Sequence, residues 1–129
     1  MLSQMASILV IDDEVGMREG CRRALSPHGF RVSTAEHGVE GLRQLRENPF
    51  DLVLLDAMMP GMSGWKTFDK IKENESWKQI PVVFLTARTD RVAKNAGGFL
   101  GEDYVEKPFD IKDLKSRIDQ LIHIESSEE

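Results

Sequence analysis

The sequence predicts an α/β fold in which one parallel five-stranded sheet lies between two layers of helices. Two observations support this prediction. Short apolar runs alternate with helix-like patterns along the 129 residues, so each strand would lead into a right-handed crossover. The run Leu52–Leu55 has no polar alternation, which is typical of a central strand covered by helices on both faces.

The first two units follow this pattern closely. A strand is predicted at Ser7–Ile11, and the helix after it has apolar residues at i, i+4 and i+8: Met17, Cys21 and Leu25. Pro27 and Gly29 stop that helix, and Arg31–Ala35 alternates like an edge strand. The second helix has an i, i+3, i+6 face made of Val39, Leu42 and Leu45. It closes before Pro49.

The middle of the chain continues with a third helix and a fourth strand. Ser63 is a candidate N-cap for a helix whose apolar face consists of Trp65, Phe68 and Ile71. The fourth strand is predicted at Val82–Leu85. Glycines then recur between Thr89 and Asp103, and each glycine inside a helix costs about 1 kcal/mol relative to alanine. The fourth helix is therefore predicted to be short and to end near Gly97.

The last unit completes a flavodoxin-like (βα)5 three-layer sandwich with the strand order 2-1-3-4-5. Its strand is predicted at Tyr104–Val105, and its helix has the most regular apolar face: Ile111, Leu114, Ile118, Leu121 and Ile122. Asp110 is placed to cap this helix, and Asp113 lies in its first turn, where the helix dipole favours negative charge. We expect residues 1–124 to form one domain and residues 125–129 to be a disordered polar tail.

Composition excludes several classes of partner. The formal net charge of −5, with no cluster of lysine and arginine, argues against direct binding of nucleic acid. No apolar stretch approaches the roughly 20 residues that span a bilayer, so we expect no membrane insertion. The single cysteine, Cys21, cannot form an internal disulfide, which fits a reducing compartment. We expect a cytoplasmic location.

Chemically useful side chains follow the strands at their C-terminal ends. Asp12 and Asp13 come after the first strand, Asp56 after the third, Thr86 after the fourth and Lys107 after the fifth. Ligands of open parallel sheets bind at this edge. In the predicted order the first and third strands are neighbours, so the three aspartates should converge.

Three converging carboxylates repel one another, by about 4 kcal/mol per pair at 4 Å and an effective dielectric constant near 20. Either one is protonated or a cation lies among them, and hard oxygen ligands favour Mg²⁺. The Lys107 ammonium and the Thr86 hydroxyl suit a phosphoryl group. None of the residues singled out at the strand ends is a serine or cysteine nucleophile, so Asp56 is the candidate for an aspartyl phosphate.

At these positions the chain resembles the receiver domains of response regulators. Four segments carry the resemblance, which extends from about residue 7 to residue 124: Asp12-Asp13, Asp56–Gly64, Thr86-Ala87 and Asp103–Phe109. One departure is that the stretch from Thr86 to Tyr104 is about one residue shorter than is usual in the family. This departure falls on the predicted fourth helix and leaves the site residues undisturbed.

The resemblance implies a role for each matching residue. Asp56 would accept a phosphoryl group from a sensor histidine kinase or a phosphotransfer protein. Asp13 and Asp56 would bind Mg²⁺ together with the main-chain carbonyl of Met58, and Asp12 would act through water. Lys107 would pair first with Asp56 and later with the phosphoryl oxygens.

The resemblance also implies a switch. Thr86 would move toward the phosphoryl group, and Tyr104 would turn inward behind it. The face formed by the fourth helix, the fifth strand and the fifth helix would then signal to an unknown downstream protein, and it could support a homodimer. The Lys107-Pro108 peptide corresponds to one that is usually cis in the family. The chain would catalyse its own phosphorylation and dephosphorylation without being a conventional turnover enzyme.

Two other functions stay open at this point. One is a pseudo-receiver, an interaction module that signals without phosphorylation. The other is a small phosphatase or nucleotide-binding enzyme of similar topology. A phosphatase would need a second acid two residues beyond the nucleophile, where Met58 stands, and Asp12-Asp13-Glu14 would repel the phosphate of a flavin nucleotide. Whether the chain is a complete single-domain regulator or a part of a longer hybrid protein also stays open.

Overall fold

The computed structural model describes residues 6–59, 61–87, 103–107 and 109–122, with only the backbone at positions 86, 87, 103, 106 and 107. Nine α-helices and strands within these ranges build the fold: β1 Ser7–Ile11, α1 Val15–Leu25, β2 Arg31–Ala35, α2 Gly38–Glu47, β3 Leu52–Asp56, α3 Gly64–Glu73, β4 Val82–Ala87, β5 Asp103–Lys107 and α4 Ile111–Ile122. A 3₁₀ turn at Ser26–His28 follows α1. All strand pairs are parallel, in the order β2-β1-β3-β4-β5. The predicted fold class and strand order are therefore confirmed.

Each strand divides its side chains between two hydrophobic cores. Leu9 and Ile11 of β1 face the core that includes α2 and α3, whereas Ile8 and Val10 face the core that includes α1 and α4. These four residues of β1 are completely buried, and so are Leu52–Leu55 of β3. This burial on both faces explains why the inner strands contain uninterrupted apolar runs.

The strand register brings the predicted site residues to one edge. Ile11 pairs with Leu55, so the residues that follow β1 lie beside the end of β3. Asp56 pairs with Leu85 on the other side, and Ala87 pairs with Lys107 at the far end of β4. The backbones of positions 12, 56, 86 and 107 consequently share the C-terminal edge of the sheet.

Side-chain caps define three helix N-termini. Ser63 Oγ accepts a hydrogen bond from Lys66 N (3.2 Å), and Asp110 Oδ1 accepts one from Lys112 N (3.3 Å), as the sequence predicts. A third cap is made by His37, whose Nδ1 accepts a hydrogen bond from Glu40 N at 3.2 Å. This bond requires Nδ1 of the imidazole to be unprotonated.

The structure corrects one detail of helix α2. Val39 was expected on the buried face but is 58% exposed. Gly41 lies there instead, against the side chain of Ile11, while Leu42 and Leu45 are buried as predicted. A glycine leaves no trace in an apolar pattern, so a helix that packs closely against a strand through glycine is assigned the wrong face.

Strand ends also differ from the prediction, because backbone pairing continues past the apolar runs. β3 extends to Asp56, β4 to Ala87, and β5 covers Asp103–Lys107. The predicted fourth helix, the Lys107-Pro108 peptide and the tail at 125–129 lie outside the described residues. Within the ranges that are described, every helix is too short or too polar to cross a bilayer.

Candidate functional site

The three predicted aspartates come together between the ends of β1 and β3. One carboxylate oxygen from each of Asp12, Asp13 and Asp56 lies within 4.8 Å of the other two. The adjacency of β1 and β3 explains this geometry, because residues that end neighbouring parallel strands share an edge. The structure thus brings together side chains that are far apart in the chain.

Burial differs among these carboxylates. Asp12 is completely buried and Asp56 is 4% exposed, whereas Asp13 is exposed. A buried carboxylate needs hydrogen-bond donors, and the local backbone supplies them. Glu14 N donates to Asp12 Oδ1 (2.9 Å), and Met58 N donates to Asp56 Oδ1 (3.2 Å). In both cases the donor is the amide two residues further on, so each loop folds back on its own aspartate.

The donor set fits a hard divalent cation. All three side chains offer carboxylate oxygens, which Mg²⁺ prefers, and their mutual repulsion would be relieved by a positive ion. Within the described residues they form the one group of three or more acidic, histidine or cysteine side chains close enough to share an ion. The geometry therefore agrees with the predicted type of metal site.

The loop after β3 is shaped by two glycines. Gly61 has a φ of +76°, a left-handed conformation that side chains with a Cβ rarely adopt. Gly64 begins α3, and its N–H donates to the carbonyl of Ala57 at 3.1 Å. A Cβ on Gly64 would collide with the carbonyl oxygen of Asp56 and with Ala57. The glycine therefore allows α3 to begin against the backbone that carries Asp56.

Arg18 is a neighbour of the site that sequence analysis missed. Its Nη1 donates a hydrogen bond of 2.8 Å to the main-chain carbonyl of Asp12. Arg18 is in α1, six positions after Asp12, and is partly buried. The sequence offers one signal, a basic residue in the first turns of a helix that follows an acidic loop, but such residues are usually solvated.

The remaining predicted residues lie on β4 and β5. The backbones of Thr86 and Lys107 are at the C-terminal ends of these strands, and their side chains are outside the described part of the chain. Tyr104 is partly buried against the core on the α2 and α3 face, opposite Phe84 in the ladder. Arg117 Nη1 of α4 donates to the Tyr104 carbonyl at 3.3 Å.

An aromatic cluster adjoins the site on its β4 side. The ring centroids of Trp65 and Phe84 are 4.5 Å apart, and those of Phe68 and Phe84 are 5.3 Å apart. Trp65 is the next residue after Gly64, whose backbone packs against the carbonyl oxygen of Asp56. Changes at the carboxylates are therefore well placed to alter the environment of Trp65.

Large apolar side chains are exposed after three of the strands. Within the described residues the large ones are Val15, Val39 and Met58, which are 62%, 58% and 56% exposed. Each follows one of the strands β1, β2 and β3 in the chain. The predicted role of Met58 rests on its main-chain carbonyl, which is compatible with an exposed side chain.

Comparisons with known proteins agree with this geometry. The sequence profile described as "Response regulator receiver domain" matches residues 8–119. Transcriptional activator protein IrlR of Burkholderia pseudomallei is 38% identical over 116 residues, which are 89% of this chain and 49% of that protein. The chain spans about half the length of the curated relatives it matches.

Solved structures show the same fold. The signal receiver domain of a signal transduction histidine kinase from Syntrophus aciditrophicus has a TM-score of 0.85 at 26% identity, with 96% of this chain and 95% of that one covered. The receiver domain of a sensor histidine kinase from Pseudomonas aeruginosa has a TM-score of 0.82 at 24% identity, with 93% and 99% covered. That domain was solved with a magnesium ion coordinated in its active-site cleft.

Proposed function

The chain belongs to the response regulator receiver domain family, and on that premise we propose that Asp56 accepts a phosphoryl group in a Mg²⁺-dependent reaction. Receiver domains of two-component systems accept phosphoryl groups and work with histidine kinases and downstream effectors. The observation that carries the assignment to Asp56 is its nearly complete burial at the end of β3, with carboxylate oxygens of Asp12 and Asp13 within 4.8 Å.

The donor in this proposal is a phosphohistidine of a sensor kinase or of a phosphotransfer protein. A carboxylate oxygen of Asp56 attacks phosphorus, the phosphorus–nitrogen bond breaks, and the imidazole nitrogen keeps the electron pair and then takes a proton from solvent. The product is an acyl phosphate on Asp56 and a neutral histidine. The hydrogen bond from Met58 N to Asp56 Oδ1 orients the carboxylate for this attack.

A bound Mg²⁺ would supply positive charge that offsets the negative charge on the phosphoryl oxygens. Asp13, Asp56 and the main-chain carbonyl of Met58 would hold Mg²⁺, and Asp12 would act through water. The magnesium ion in the receiver domain from Pseudomonas aeruginosa supports this choice of metal by similarity of fold. Lys107 would pair with the phosphoryl oxygens after transfer, and Thr86 would donate its hydroxyl to them.

The response would be a shift between two conformations. Moving an equilibrium from 1:99 to 99:1 takes about 5.5 kcal/mol of differential interaction, which new bonds to Thr86, Lys107 and the cation have the strength to supply. Tyr104 would turn further inward behind Thr86, and the face that includes β5 and α4 would contact a downstream protein. Transcriptional activation is named for the longer relative and is not proposed for these residues alone.

Intact-mass measurement after incubation with acetyl phosphate and MgCl₂ tests the proposal. We expect an acid-labile adduct with the mass of one phosphoryl group, which disappears when EDTA replaces Mg²⁺. Asp56→Asn should abolish the adduct, and Asp69→Asn, which changes an exposed carboxylate of α3, should retain it. An adduct that persists in Asp56→Asn would refute the assignment. No adduct in the parent protein would favour the phosphorylation-independent interaction module.

A further inference from the structure

The hydrogen bond from Arg18 to the carbonyl of Asp12 is not explained by the proposed phosphoryl transfer. It links the first turn of α1 to the end of β1 through a contact of 2.8 Å. Two other bonds hold the same residue: Asp12 N donates to the carbonyl of Ala35 (3.1 Å), and Asp12 Oδ1 accepts from Glu14 N (2.9 Å). Asp12 is thus fixed at its nitrogen, its carbonyl oxygen and its carboxylate.

The carbonyl oxygen of Asp12 belongs to the peptide group that leads into Asp13. A peptide group is planar, so an anchored carbonyl oxygen also sets the direction in which the chain enters Asp13. No described residue donates a hydrogen bond to the Asp13 carboxylate, and this side chain is exposed. The orientation of Asp13 toward Asp56 therefore depends on its backbone, and that backbone is held by Arg18.

We propose that Arg18 is a positioning residue for the metal-binding carboxylates. Its guanidinium holds the Asp12–Asp13 peptide so that the Asp13 carboxylate stays within reach of Asp56, against the repulsion among three acidic groups. Groups that orient metal ligands without touching the metal typically change metal affinity by about 10-fold to 100-fold when they are removed. This inference rests on the proposed function in one respect, that the cation is Mg²⁺.

Two roles of the guanidinium predict opposite results, which makes the idea testable. If Arg18 positions the carboxylates, its loss weakens Mg²⁺ binding. If it only contributes a positive charge near the site, its loss strengthens Mg²⁺ binding, because the cation is then repelled less. A role confined to anchoring α1 would change the stability of the metal-free protein and leave Mg²⁺ affinity unchanged.

Isothermal titration calorimetry with MgCl₂ alone separates these outcomes in the unphosphorylated protein. We expect Arg18→Met to weaken Mg²⁺ binding about 10-fold and Arg18→Lys, which retains the charge and a donor, to recover most of the loss. Arg23→Met removes the same charge from an exposed position of α1 and should stay within about twofold of the parent. Urea unfolding in EDTA reports the stability of each variant.

Equal affinities for Arg18→Met and Arg23→Met, or tighter binding by Arg18→Met, would overturn the positioning role. If Arg18→Met does not fold, Arg18→Ala removes the donor with a smaller side chain, and parent-like affinity for Mg²⁺ in that variant would overturn the positioning role equally. A parent protein that shows no Mg²⁺ binding would reject the metal site itself. The phosphorylation assay with Asp56→Asn separates failure of the metal site from failure of the proposed acceptor. An adduct that forms without metal and is lost in Asp56→Asn would retain Asp56 as the acceptor.

Discussion

The α-carbon of Gly64 lies against the carbonyl oxygen of Asp56, so helix α3 begins where there is no room for a side chain. The backbone bond from Gly64 N to Ala57 O, 3.1 Å long, fixes the same junction from the other side. The candidate acceptor is therefore held through its main chain by a helix as well as by the sheet.

Gly64→Ala should lower the free energy of unfolding by about 1–3 kcal/mol, because the added methyl group overlaps backbone atoms that cannot move aside cheaply. Gly20→Ala is the matched control: it lies in α1, and a Cβ there would have no atom within 4 Å. That change should raise the free energy of unfolding by about 0.5–1 kcal/mol through the helix preference of alanine. Urea unfolding of both variants measures the difference, and a destabilised Gly20→Ala would contradict this reasoning.

The effect of Asp13→Asn on the free energy of unfolding should have opposite signs without and with Mg²⁺. In EDTA we expect the variant to be more stable than the parent by about 1 kcal/mol, because one exposed member of a repelling acidic group has lost its charge. In excess MgCl₂ the order should reverse, because only the parent gains the full stability of metal binding. Thermal unfolding with and without Mg²⁺ measures both effects. Asp69→Asn, on α3, should respond to Mg²⁺ like the parent.

Lys72 anchors the segment between α3 and β4. Its Nζ donates to the carbonyls of Lys78 and Ile80, both at 3.0 Å, and lies 5.6 Å from the ring centroid of Phe68. Lys72→Met should lower the free energy of unfolding by about 1–2 kcal/mol, because the carbonyls lose a charged donor. Lys70→Met, an exposed position of the same helix, should stay within about 0.5 kcal/mol of the parent in urea unfolding.

Glu40 gives a defined pH dependence. A side-chain hydrogen bond from Arg43 holds the pKa of the Glu40 carboxyl below its usual value of 4.5. A lowered pKa in the folded state means that the stabilisation is complete above the usual value and is lost as the pH falls through the folded-state value. Glu40→Gln should therefore be less stable than the parent at pH 7. The two proteins should be equally stable at a pH below the folded-state pKa of Glu40. A difference that is independent of pH would disprove this origin.

The Mg²⁺ response of tryptophan fluorescence should come from Trp65. Its ring packs on Phe84 and its backbone adjoins Gly64, whereas Trp77 lies beyond the opposite end of α3, against the cleft lined by Phe50. Trp65→Phe should remove the fluorescence change on MgCl₂ addition, and Trp77→Phe should retain it. A response that disappears only in Trp77→Phe would show that the metal acts at a distance from the carboxylates.

The order of strands and the meeting of the aspartates could both be predicted from sequence for one physical reason. Each depends on local patterns, an apolar run and the polar residue that ends it, and the parallel connection rules then place those ends at one edge. Residues that act through close packing left no comparable pattern. Gly41 and Gly64 matter through the space they leave, and this became visible only when Ile11 and Asp56 were placed beside them.

Long-range polar contacts were equally invisible. The bond from Arg18 to the Asp12 carbonyl and the clamp of Lys72 on Ile80 both join a helix to a loop carbonyl. Backbone acceptors have no sequence signature, so a basic residue on a helix gives no hint of which carbonyl it meets. His37 as the cap of α2 was missed because histidine is a rare choice at that position.

The position of β5 at the border of the sheet allows it to move more easily than β3. Among the described strands, β3, which carries the candidate acceptor, pairs with two neighbours, whereas β5 pairs with β4 alone. A displacement of β5 would break one ladder of hydrogen bonds, whereas the same displacement of β3 would break two. The candidate acceptor can thus stay in place while a border strand moves, and β5 is the border strand separated from β3 by β4 alone.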